Sequence, residues 1–86
     1  MQVTFSQAAW EDYLAWQKQD RKVLKKINQL IADIQRNPFT GIGKPERLKY
    51  QLQDYYSRRI TSEHRLVYRV EDEVLYILSV RYHYVN

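Results

Sequence analysis

Both glycines and both prolines of this 86-residue chain fall within residues 37–47. Gly and Pro interrupt regular structure, so the backbone path is shaped in one place, with two long regular arms on either side. The arms differ in period. Before the stretch, Leu24, Ile27, Leu30, Ile31 and Ile34 recur at the helical spacing i, i+3, i+4, i+7. Asp20 is placed to cap that helix, and Asn37-Pro38 to end it, because the residue before Pro avoids the helical region. A helix over 21–36 follows. An earlier helix, 7–18, starts at Ser6 and gathers Ala9, Trp10, Tyr13, Leu14 and Trp16 into a broad apolar face. Val3 and Phe5 alternate in a short first strand over 2–5.

After the stretch the pattern is strand-like. Tyr50, Leu52 and Tyr55-Tyr56 lead into a strand over 57–61, and Ser62-Glu63 makes a turn. Residues 64–70 alternate with period two: Leu66, Tyr68 and Val70 on one face, Arg65, Val67 and Arg69 on the other. Glu71-Asp72-Glu73 reads as an acidic hairpin turn, and Val74 to Tyr82 as a last strand, rich in β-branched and aromatic residues. The chain is therefore expected to be one α+β domain spanning 1–86. It would be a twisted antiparallel sheet of about four to five strands with two N-terminal helices packed on one side.

With no Cys, no basic-then-apolar leader and no long apolar run, the expectation is a cytoplasmic protein. A net charge of +4 and eight Tyr favour an acidic partner, and rings beside Arg and Lys can stack on unpaired bases. Gly41-Ile42-Gly43-Lys44 lacks the spacing of a phosphate-binding P-loop. Metal chemistry is disfavoured: Cys is absent, and the adjacent Glu63 and His64 point to opposite faces of an extended segment. Ser57 and Ser62 lack the strand-turn-helix elbow of a nucleophilic serine. His64 reads as a solvated polar residue at a turn, whereas His83 lies between two Tyr that tend to hold it in place.

What remains is a basic constellation: Lys44, Arg47, Lys49, Arg58, Arg59, Arg65 and Arg81, ending in His83. Glu46 is the lone acid between Lys44 and Lys49, and a patch that only bound phosphate would gain nothing from a carboxylate. RNA cleavage gives it a role. The 2′-hydroxyl is an internal nucleophile beside its own phosphodiester, so the reaction needs only a base, an acid and cations around phosphorus. Glu, His and Arg suit those roles, although these residues alone leave open a plain RNA-binding module that uses Arg and Tyr for contact and stacking.

Four motifs in order carry a resemblance. They are Gly43-Lys44-Pro45-Glu46 followed by Leu48-Lys49, Ser57-Arg58-Arg59-Ile60-Thr61, Glu63-His64-Arg65-Leu66-Val67-Tyr68, and Arg81-Tyr82-His83-Tyr84. With Trp10 to Leu14 and Lys25 to Asn28, they make essentially the whole chain resemble the YoeB branch of the RelE toxin superfamily. The resemblance implies a type II toxin that cuts messenger RNA in the ribosomal A site and is neutralised by a YefM/Phd-type antitoxin. It implies no cofactor, ribosomal RNA as a further partner, and a homodimer. It implies Glu46 as general base, Arg65 as phosphate stabiliser, His83 as general acid and Tyr84 as the aromatic completing the site. Lys44, Lys49 and Arg59 would be supporting cations. A gyrase-poisoning toxin of the same fold is the related alternative. Val85-Asn86 extend the chain past the His-Tyr pair at which such toxins end.

Overall fold

The computed structural model describes residues 1–82. Strand β1, Gln2–Phe5, leads into α1, Gln7–Gln19, and α2, Arg21–Arg36. The chain then forms β2, Glu46–Arg47, a single 3₁₀ turn at Tyr50–Leu52, and β3, Tyr56–Arg59. Strands β4, Arg65–Glu71, and β5, Val74–Ser79, complete a five-stranded sheet of order β1-β5-β4-β3-β2.

Both caps act as the sequence predicts. Ser6 Oγ accepts from the Ala9 N–H, and Asp20 Oδ1 from the N–H groups of Lys22 and Val23. Helix α2 buries Val23, Ile27, Leu30 and Ile34 against Leu66, Tyr68, Leu75 and Ile77 of the sheet. Helix α1 buries less than its composition promises. Ala9 and Trp16 are inside, but Trp10 and Leu14 remain 43% exposed; the main contacts of α1 with the sheet are to β5 and β1.

The sheet departs from the expected antiparallel one at β1, which pairs parallel with β5. Two helices and the whole β2–β4 meander separate these strands in the chain, and a long crossover is what parallel pairing requires. Three other boundaries differ. Glu46 and Arg47, read as the end of the loop, form an edge strand on β3. Tyr50 and Leu52 belong to the 3₁₀ turn rather than a strand, and Leu48 takes the buried position instead. Strand β5 stops at Ser79 rather than Tyr82. A bulge opposite Val67 and Tyr68 shifts the register, and Val80 then turns inward, its carbonyl accepting from Trp16 Nε1.

The 37–43 path is built around Arg58. Its side chain is fully buried, although the sequence places it with Arg59 in a basic face. Nε donates to Tyr68 Oη (3.1 Å), Nη1 to Asp33 Oδ2 (2.6 Å) and the Ile42 carbonyl (3.1 Å), and Nη2 to the carbonyls of Asn37 (2.5 Å) and Thr40 (2.8 Å). All five guanidinium N–H groups are used, which is what a buried Arg needs. Tyr68 in turn donates to the Pro38 carbonyl. Gly43 passes close by at φ +79, and a Cβ there would come within 2.7 Å of Leu30 Cδ2, so only glycine fits.

Arg58 also sets an acid limit on stability. Its hydrogen bond, with that of the Ile42 N–H, holds the Asp33 carboxyl below its ordinary value of 3.8. A folded value below the unfolded one stabilises above the unfolded value, and that stabilisation is lost as pH falls through the folded value. Melting temperatures followed by circular dichroism from about pH 6 to about pH 2.5 should therefore drop below about pH 4. Asp33→Asn should melt lower at neutral pH and show a shallower acid drop. An unchanged acid slope in that variant would remove Asp33 from the account.

Candidate active site

The site follows from strand register. Adjacent strand residues point to opposite faces, so Arg58 enters the core while Ser57 and Arg59 face the other side. Cross-strand partners share a face: Glu46 lies opposite Ser57, Ser57 opposite Val67, and Arg59 opposite Arg65. Three strands thus deliver Glu46, Arg59 and Arg65 to the sheet face away from the helices.

Glu46 and Arg65 meet there. Arg65 Nη1 lies 3.8 Å from Glu46 Oε2, an ion pair looser than a hydrogen bond. The Glu46 side chain is 65% exposed and that of Arg65 22%, so the carboxylate faces solvent while the arginine side chain is largely covered. The floor is partly apolar. Val67 is fully buried between Ser57 and Ser79, its partners on either side, and both hydroxyls lack a hydrogen-bond partner among the described residues.

The other sequence candidates distribute as follows. Lys44, in the left-handed region at φ 52, precedes Glu46 by two residues and is exposed. Lys49 is exposed just after buried Leu48, and its carbonyl anchors the 3₁₀ turn through the Leu52 N–H. Arg59 is exposed, and its N–H donates to the Gly43 carbonyl, tying β3 to the shaped loop. Arg47 is committed elsewhere, its Nε donating to the Gln53 carbonyl. Arg81 packs over Trp16 at 4.0 Å and donates to Gln19 Oε1. His83 and Tyr84 lie outside the described residues.

His64, read as a solvated turn residue, is half-buried. Its ring meets Trp16 edge-on at 4.9 Å, and its Nδ1 accepts from the Tyr82 N–H at 2.7 Å. The sequence carries no signal for this, because the donor is a backbone amide. A groove of about 580 Å³ between Phe39, Arg47, Tyr55, Tyr56 and Arg69 lies toward the opposite end of β4 and includes none of Glu46, Arg59 or Arg65. The chemistry-bearing surface is a shallow cationic face with one carboxylate.

This architecture is that of the small α+β bacterial toxins. A solved YoeB/ParE toxin from Agrobacterium tumefaciens superposes with a TM-score of 0.95 at 45% identity, covering 98% of this chain and 100% of that one. A model of the YoeB-like toxin of bacterial type II toxin-antitoxin systems matches residues 5–84, and the chain belongs to that family. A curated relative, toxin YoeB of Streptomyces coelicolor, is 57% identical over 98% of this chain and the whole of its own length. The Staphylococcus aureus YoeB in a heterotetrameric YoeB-YefM complex is 54% identical, with a TM-score of 0.91 and 98% of each chain covered; that YoeB has also been solved as a dimer. Among the described residues, no helix is long and apolar enough to cross a membrane.

Proposed function

We propose that this toxin is a metal-independent, ribosome-dependent endoribonuclease that cuts messenger RNA in the A site. The carrying observation is the Glu46–Arg65 pair on an open cationic face. A 2′-hydroxyl and the adjacent phosphate are neighbours on one nucleotide, so a base and a phosphate clamp must themselves be neighbours to meet both. Glu46 takes the 2′-hydroxyl proton. Arg65 grips two phosphate oxygens through its planar fork, and Arg59, opposite it across the strands, with Lys44 and Lys49, adds positive charge as phosphorus becomes crowded. His83 protonates the leaving 5′-oxygen, and Tyr84 completes the site. The products are a 2′,3′-cyclic phosphate and a 5′-hydroxyl end.

The +4 charge suits both ribosomal RNA and an acidic antitoxin segment. A YefM/Phd-type protein is the proposed neutralising partner, and a homodimer the proposed unbound form.

Primer extension on translating ribosomes tests the reading. Purified toxin should produce a discrete stop within an occupied A-site codon. A messenger carrying a 2′-deoxynucleotide at that position should remain intact, because the nucleophile is missing. Cleavage of the deoxy substrate at the normal rate would refute the scheme. A toxin that arrests growth without cutting would point to the gyrase-poisoning alternative, and binding without arrest or scission to a plain RNA-binding module.

A further inference from the structure

Tyr82, the residue before His83, has both backbone polar groups held by consecutive residues at the start of β4. Its N–H donates to His64 Nδ1 at 2.7 Å, and its carbonyl accepts from the Arg65 N–H at 2.8 Å. Tyr82 sits at φ 61, a left-handed conformation that a residue with a Cβ adopts at a cost of roughly 1–2 kcal/mol. Such a conformation persists where its surroundings over-determine it.

His64 is itself fixed. Its N–H donates to Thr61 Oγ1, and its carbonyl accepts from the N–H groups of Ile60 and Thr61. Its ring is wedged between Trp16, at 4.9 Å, and the Tyr82 ring, at 5.6 Å. Trp16 is locked in turn by the Val80 carbonyl and by Arg81, which also reaches Asp12 and Gln19 of α1. With Nδ1 taken up as the acceptor for the Tyr82 N–H, only Nε2 is left to donate. Nothing in the proposed chemistry uses this histidine.

We propose that His64 is a positioning residue: its Nδ1 clamps the Tyr82 backbone and thereby sets the direction in which the chain enters His83. The same two-residue step, His64-Arg65, then carries the proposed phosphate clamp and holds the residue that precedes the proposed general acid. A displacement of about 1 Å in a catalytic group can cost 10²-fold in rate, so this hydrogen bond should matter for turnover more than for folding. The inference rests on the role proposed for His83.

Two substitutions separate positioning from packing. His64→Phe keeps a ring against Trp16 but removes the acceptor. His64→Asn loses the ring but keeps an acceptor, since its Oδ1 branches from the same Cγ as Nδ1. Single-turnover cleavage on programmed ribosomes should fall about 10- to 100-fold in His64→Phe, with half-saturation by ribosomes unchanged. It should recover most of the wild-type rate in His64→Asn. Melting temperatures should run the other way, with Phe at or above Asn. Hydrogen exchange at the Tyr82 amide should accelerate in His64→Phe alone.

His64→Phe cutting at the wild-type rate would overturn the inference. So would activities that follow the melting temperatures, since a purely structural histidine gives the two variants one order in both measurements. His83→Ala is the control for the underlying reading: if it cuts as well as wild type, the acid role fails and the positioning role fails with it. A slow His83→Ala beside a fast His64→Phe rejects the positioning role alone.

Discussion

Arg58→Met is expected to lower the melting temperature by at least about 12 °C, from a loss of about 3 kcal/mol or more at about 4–8 °C per kcal/mol in a domain of this size. Met roughly fills the space of the aliphatic stem, so little of the loss comes from a cavity. It comes from what the guanidinium leaves behind. Three carbonyls of the 37–42 path, the Tyr68 hydroxyl and the Asp33 carboxylate each lose a donor at once. Arg58→Lys should recover only part of the loss, because one ammonium has three donors and cannot reproduce a planar fork of five. The damage should spread to the active face, since the loop these bonds hold runs through Gly43, whose carbonyl receives the Arg59 N–H, and on to Glu46. Thermal melts of the three proteins decide the matter. A shift of only a few degrees in Arg58→Met would mean that water or loop rearrangement satisfies those groups cheaply.

That residue also shows where the sequence could and could not be read. Helix α2 was legible to its ends, because its period, its Asp20 cap and its Asn37-Pro38 stop all agree. Strands β1, β3, β4 and β5 were legible as strands, but their faces were harder. Ser57-Arg58-Arg59 presents two adjacent arginines that alternation must send to opposite sides, and the composition alone cannot say which enters the core. The deciding partners, Asp33 and the carbonyls of the shaped loop, are 16 to 25 positions away. Parallel pairing of β1 and the early end of β5 were hidden for a similar reason: each depends on register against a distant strand.

Within the candidate site, Glu46 stood out as a single acid among cations, and Arg65 as the outward residue of an alternating strand. Their approach to 3.8 Å was not legible, because it needs β2 to pair with β3, and the sequence showed only a loop there. His64 was misread because its partner is a backbone amide, and a main-chain N–H leaves no mark on residue type.

Arg65→Lys should slow cleavage by roughly 10²-fold or more, the range seen when one preorganised donor to a developing charge is removed. The charge is conserved, so the size of this loss measures geometry. In the proposed scheme Arg65 has two obligations: Glu46 on one side, at 3.8 Å, and the phosphate on the other. A planar guanidinium can serve both with separate N–H groups, whereas an ammonium on a flexible stem must divide three donors from one point. The backbone N–H of residue 65, which holds the Tyr82 carbonyl, is untouched by the change, so the melting temperature should move little. Glu46→Gln is the companion variant. It keeps the shape and removes the base, with an expected loss of about 10² to 10⁴-fold. If base and clamp act on one nucleotide, the double variant should lose far less than the product of the single losses, because residues that act as a unit are not additive. Single-turnover rates for all four proteins on the same programmed ribosomes give the coupling directly. Fully multiplicative losses would mean that Glu46 and Arg65 serve separate steps, and near-wild-type cutting by Arg65→Lys would mean that phosphate is held elsewhere on this face.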